Sequence, residues 1–222
     1  MAVSLLILGL LLALTGCGLA KPPANVPFSE NGSPQYLVSV STGETVGSGI
    51  LYQADEACLY VLTAAHVLSK MTAGQEVSIC FFDGWEVSCA NIFFSGTSDL
   101  AMLEISAVEI PDEHRELYAC AARDKESFDR LRPGDGCTAL GLTNEKSCVR
   151  NEGNLLEPWI YMEDYGQYML WADVSIQPGM SGGGLLDEKG RLIGILSGGS
   201  EDGELAAVPL SLILQFMADM GK

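Results

Sequence analysis

The chain has 222 residues and a formal net charge of −17, and its first sixteen residues carry no charged side chain. Apolar residues make up 48%, which excludes global disorder and suffices for one sizeable domain or two small packed lobes. So acidic a surface excludes nucleic acid as a partner and electrostatic docking on anionic lipid, and reads as a solvated, mutually repelling exterior.

Residues 1–16 read as a removable signal peptide. Residues 3–14 form an apolar run short of the ~20 residues needed to span a bilayer. Leu14-Thr15-Gly16-Cys17 resembles a bacterial lipobox, although residues 1–4 lack the usual Lys or Arg. That resemblance implies lipidation of Cys17 and anchoring on the extracytoplasmic face of a cell membrane. Ordinary cleavage after Gly18-Leu19-Ala20 is the alternative. Residues 17–35, rich in Pro, Asn, Ser and Gly, read as a tether.

Short β-branched and apolar runs broken by turn residues follow, at 36–40, 46–52, 59–63, 77–82, 86–94 and 100–105. A charged stretch, 106–133, reads as a connection with a helical turn. A second set of strands follows at 137–142, 147–155, 159–162, 168–174, 184–186, 192–197 and 205–208, with Asp187-Glu188-Lys189-Gly190 as a hairpin turn. Residues 209–220 space Leu210, Ile213, Leu214 and Met217 at helical intervals behind Pro209. The pattern predicts an all-β chain with a C-terminal helix.

Assigning Cys17 to lipid leaves Cys58, Cys80, Cys89, Cys120, Cys137 and Cys148, an even set compatible with disulfides in an exported chain. The sequence does not choose a pairing. Cys80 with Cys89, across the Asp83-Gly84 turn, and Cys137 with Cys148 are the better local candidates, and free thiols are the alternative. With no CxxC pair and two histidines, no metal site is expected.

A serine hydroxyl needs an imidazole to take its proton, and the imidazole needs a carboxylate to fix its tautomer. Backbone N–H groups must meet the oxyanion, which favours a glycine-rich turn. The chain offers Thr63-Ala64-Ala65-His66 after an apolar strand, Ser98-Asp99 before another, and Gly179-Met180-Ser181-Gly182-Gly183 behind Pro178. Both His66 and His114 precede Ser181, whereas α/β-hydrolases run Ser, acid, His, so that fold is excluded.

Gly47-Ser48-Gly49-Ile50-Leu51-Tyr52, residues 60–67, Ser98-Asp99-Leu100-Ala101-Met102-Leu103 and residues 173–195 resemble the trypsin-like peptidases, in particular the HtrA/Deg protease domain. The resemblance covers residues 36–220. It implies a chymotrypsin-like double β-barrel, two six-stranded barrels with the triad between them. The N-barrel would take about 36–105, the connection 106–133, the C-barrel about 134–208 and the helix 209–220. The resemblance makes Ser181 the nucleophile, His66 the general base and acid, and Asp99 the orienting carboxylate. It places the oxyanion hole at the N–H groups of Gly179 and Ser181. Ser197, Gly198 and Gly199 become the strand that pairs with substrate backbone, with Ser197 bonded to Asp99. It implies polypeptide substrates and no cofactor.

Met180 stands where digestive relatives carry an aspartate for a new N-terminal amine, so zymogen activation of that kind is not expected. By the same resemblance Ser175 matches the floor of the primary specificity pocket, and without an acidic group there cleavage after small or medium apolar residues is expected. No peptide-binding (PDZ) domain is expected either. A catalytically silent relative that binds peptides or a surface partner is the main alternative, and an esterase on the same scaffold is a third. His114, in a charged stretch taken as solvated, receives no role, and Trp85, Trp159 and Trp171 are read as packing residues.

Overall fold

A computed structural model describes residues 33–222 apart from 44 and 73, so the signal-peptide segment, Cys17 and most of the tether lie outside the described residues. No helix among those described is long and apolar enough to cross a membrane.

The first seven strands are β1 (Leu37–Ser41), β2 (Val46–Ala54), β3 (Cys58–Thr63), β4 (Ser78–Cys80), β5 (Glu86–Ser88), β6 (Asn91–Phe94) and β7 (Ala101–Ser106). They form one sheet in the order β5-β4-β1-β2-β3-β7-β6, with every pairing antiparallel. This corrects the expected six-stranded first barrel. The run read as one strand over 86–94 breaks at Cys89-Ala90, where the Cys89 N–H donates to Val77 and the Ala90 N–H to Glu104. Only those two residues separate the outermost strands β5 and β6, so the sheet curls until its edges meet through the chain instead of through hydrogen bonds.

The second lobe is a closed barrel of β8 (Gly136–Leu142), β9 (Cys148–Met162), β10 (Gln167–Asp173), β11 (Gly184–Asp187), β12 (Leu192–Gly199) and β13 (Leu205–Pro209), ordered β10-β13-β12-β11-β8-β9. Two predicted strands fuse here, because β9 runs straight through Pro158. Its pairing with β8 ends at Asn154, and backbone bonds from Leu155 to residues 134 and 135 close that side, so beyond Leu155 β9 is paired on one side and a proline with no N–H costs little. The hairpin turn after β11 is fastened by Asp187 Oδ1, which accepts the N–H groups of Lys189 and Arg191 at 2.8 and 2.9 Å.

The connection holds α1 (Asp112–Arg115) and α2 (Lys125–Phe128), and the chain ends in α3 (Leu210–Asp219), which buries Leu210, Ile213, Phe216 and Met217. Adjacent residues of the connection bond to both lobes: Ala121 N–H to the Leu51 carbonyl at 2.9 Å, and the Leu192 N–H to the Ala122 carbonyl at 2.7 Å. His114 is not solvated as expected. Its Nδ1 lies 2.8 Å from Asp83 Oδ2 and its ring 4.5 Å from Trp85, tying the connection to the turn between β4 and β5. Trp159, read as packing, is instead 45% exposed and stacks on Tyr168.

The expected disulfides are absent, since all six described cysteines are free thiols. Register explains it. Cys89 lies opposite Val77, three residues or about 10 Å from Cys80, while Cys137 pairs with Gly153 and Cys148 with Leu142, about 17 Å apart along the hairpin. Both separations exceed the ~7 Å that a disulfide spans. Burial pushes the Cys137 thiol up to about 12, so it is a core residue without thiolate character.

Candidate active site

Antiparallel pairing of β3 with β7 sets Thr63 opposite Ala101, so residues just after β3 and just before β7 share one end of the sheet. His66 lies on the single 3₁₀ turn Ala65–Leu68 that follows β3, and Asp99 two residues before β7. Their side chains meet: His66 Nδ1 is 2.8 Å from Asp99 Oδ2, and the His66 N–H donates to Oδ1 at 2.9 Å. The imidazole side chain is 47% exposed and the carboxylate 18%. Burial pulls the Asp99 carboxyl upward, but hydrogen bonds from His66 and Ser197 outweigh it and hold it below the usual carboxylate range.

Ser197 comes from β12 in the second lobe. Its hydroxyl donates to Asp99 Oδ2, and its carbonyl accepts the Ser181 hydroxyl at 3.4 Å. A continuous run of hydrogen bonds thus links Ser181, Ser197, Asp99 and His66. In this structure Ser181 Oγ is turned toward Ser197, and a change of one staggered χ1 well reorients it.

The turn carrying Ser181 closes with the Met180 N–H donating to the Gln177 carbonyl at 3.0 Å. Gly179 has φ +98°, and a Cβ there would meet Asn144 N at 2.5 Å, so glycine is required. The Pro178 carbonyl accepts from Asn144, which turns the Gly179 N–H of the same trans peptide the opposite way. The Met180 carbonyl accepts from Gly183, which does the same for the Ser181 N–H. Among the described residues neither N–H has a protein acceptor. Met180 is fully buried, an apolar plug beneath the turn.

Ser175 lies between β10 and this turn, with its carbonyl accepting Asn151 Nδ2 at 2.7 Å. Gly198 and Gly199 end β12 beside Ser197. No group of three or more His, Cys, Asp or Glu among the described residues could hold a metal ion.

Two contributors carry no assignment from the sequence. Ser48 is fully buried: its Oγ accepts the Leu142 N–H at 2.7 Å and donates to the Gly179 carbonyl at 2.8 Å, while its N–H donates to the Ser181 carbonyl at 2.8 Å. A polar side chain flanked by Gly47 and Gly49 inside an apolar strand is the available signal. Tyr165, at the tip of the β9–β10 hairpin, brings its hydroxyl within 2.4 Å of where a Gly198 Cβ would stand. Nothing local in the sequence announces that contact.

The family profile of the trypsin-like peptidase domain matches residues 47–195. The chain belongs to that family. Within it, the chain is 31% identical over 196 residues to the periplasmic pH-dependent serine endoprotease DegQ of Escherichia coli (strain K12), covering 81% of this chain and 38% of that protein. It is 28% identical over 188 residues to the serine protease Do-like HtrA of Bacillus subtilis (strain 168), covering 81% and 39%. This trypsin-like chain therefore spans about two fifths of the length of these curated relatives. It also superposes on the HtrA-type protease AlgW with tripeptide at a TM-score of 0.68 and 25% identity, over 85% of this chain and 60% of that one.

Proposed function

We propose that the chain is a serine endopeptidase that cleaves polypeptides through an acyl-enzyme, with Ser181 as nucleophile, His66 as general base and then acid, and Asp99 as orienting carboxylate. The observation that carries this reading is the pair of Asp99 bonds to His66, N–H to Oδ1 and Nδ1 to Oδ2, beside a turn whose Gly179 and Ser181 N–H groups have no protein acceptor among the described residues. With Nδ1 committed to Asp99, Nε2 is the basic nitrogen. Substrate backbone would pair with Ser197–Gly199, and its N–H would take the Ser197 carbonyl and release Ser181 Oγ toward Nε2. Oγ then attacks the scissile carbonyl carbon as Nε2 takes the proton. The N–H groups of Gly179 and Ser181 bind the oxyanion, and the amine departs with the proton from His66. Water repeats the sequence on the ester. Ser175 brings no charge to the primary pocket, which supports cleavage after small or medium apolar residues.

Export is supported by the apolar leader and by relatives named as periplasmic, and anchoring by Cys17 in its lipobox context. Fluorophosphonate labelling of the purified chain, with Ser181→Ala alongside, tests the chemistry. A single adduct on Ser181 supports it, and a folded protein with no adduct refutes it. Cys17→Ala should release the chain from the membrane fraction, and retention there would refute the lipid anchor.

A further inference from the structure

Beside the nucleophile the sheet offers a free edge. β13 pairs with one side of β12, where Gly198 faces Ala206 and Gly199 faces Leu205. On the other side protein partners end at Leu196 and at the Ser181 hydroxyl, among the described residues. The outward face of this segment opens into a cavity of about 350 Å³. It exists because Gly198 and Ala206 project little or nothing into it. Met162 and Trp171 supply apolar walls, and Asp164 and Glu204 add carboxylates. The indole N–H of Trp171 donates to Glu204 Oε2 at 3.1 Å, which fixes that carboxylate and leaves Oε1 without this bond.

Register then assigns the cavity to one substrate position. A peptide whose cleaved residue lies across from Ser197 places the preceding residue across from Gly198. Residues directly opposite in an antiparallel pair share a face, as do those two apart on one strand. That face is the one to which Gly198 would present a side chain, and the Tyr165 hydroxyl already fills it there. The next substrate side chain on the same face, two residues further upstream, meets the open volume that continues past Gly199 to Ser200 and Glu204.

Building on the peptidase reading, we infer that this cavity is a specificity subsite selecting a long basic side chain, Arg or Lys, at the fourth residue before the scissile bond. The methylene stem lies along Met162 and Trp171 while the cation reaches Asp164, Glu204 and the indole face. An acidic side chain meets two like charges there, and an aliphatic one leaves both carboxylates without a cation. The net charge of −17 draws basic peptides toward the molecule as a whole.

The test uses the full chain and internally quenched peptides that differ only at that position, with Arg, Leu or Glu. The expected result is kcat/KM about fivefold higher for Arg than for Leu, with Glu lowest, and a preference that shrinks at ~0.5 M salt. Asp164→Asn combined with Glu204→Gln should bring the Arg-to-Leu ratio to about one. Both peptides are read on the same preparation, so any loss of folded protein cancels. A wild-type ratio of one or below, or a ratio that survives the double substitution, overturns this inference alone. Absence of both hydrolysis and fluorophosphonate labelling overturns the peptidase reading, and this inference with it.

Discussion

The backbone N–H of Ser48, in the first lobe, donates to the carbonyl of Ser181, in the second, at 2.8 Å. The Ser48 hydroxyl at the same time joins Leu142 and Gly179, so one buried serine holds both ends of the turn that carries the proposed nucleophile.

Ser48→Ala keeps the N–H but removes the hydroxyl, leaving the Leu142 N–H buried without its acceptor. A loss of about 1–3 kcal/mol in urea unfolding is expected. Because the Gly179 peptide is released as well, kcat should fall about tenfold or more, with a smaller change in KM. Unchanged kcat in a folded variant would show that the turn needs no support from the first lobe.

Gly182 has φ +85°, and a Cβ there would stand 2.1 Å from the Ser48 carbonyl oxygen and 2.2 Å from Thr63 Oγ1. Backbone cannot yield as a flexible side chain does. Gly182→Ala should cost about 3 kcal/mol or more and lower the melting temperature by roughly 6–12 °C. Gly96→Ala, with open space around the new methyl, should melt like the parent and serves as the control.

Asp99 is held below the ordinary carboxylate range in the folded state, so the unfolded chain protonates first as pH falls. Its contribution is fully present above the unfolded pKa near ~4 and is lost as pH drops through the lower folded value. Parent and Asp99→Asn should therefore differ most in stability at neutral pH and converge in acid. The same substitution should reduce kcat roughly ten-thousandfold by unsettling the His66 tautomer. Parallel stability curves across that pH range would argue against an ionised Asp99 in the fold.

With six free thiols among the described residues, reductant should leave the melting temperature unchanged. A thiol reagent should modify exposed Cys120 well before buried Cys137. A melting temperature lowered by dithiothreitol would reveal a bridge where the structure holds free thiols.

The proposed triad could be read from the sequence because it sits in short local motifs whose residue types few other sites combine. His66, Asp99 and Ser181 each stand beside a strand whose apolar run marks it, and their order along the chain excluded a competing fold. Long-range partnerships were not legible. His114 finds Asp83 thirty-one residues away, and Tyr165 finds Gly198 two strands over in the barrel wall, contacts that no local periodicity encodes. The strand errors share one cause. Nothing in the alternation of residues 86–94 marks the change of partner at Cys89-Ala90, and Pro158 reads as a breaker until β9 is known to be one-sided there.

The connection between the lobes bears on how such a cleft can move. Ala121 is bonded to the first lobe and its neighbour Ala122 to the second, and Arg191 of the second lobe reaches Asp124 three residues after Ala121. A single peptide unit therefore acts as a spacer with almost no slack, and jaw-like opening of His66 away from Ser181 would tear both bonds.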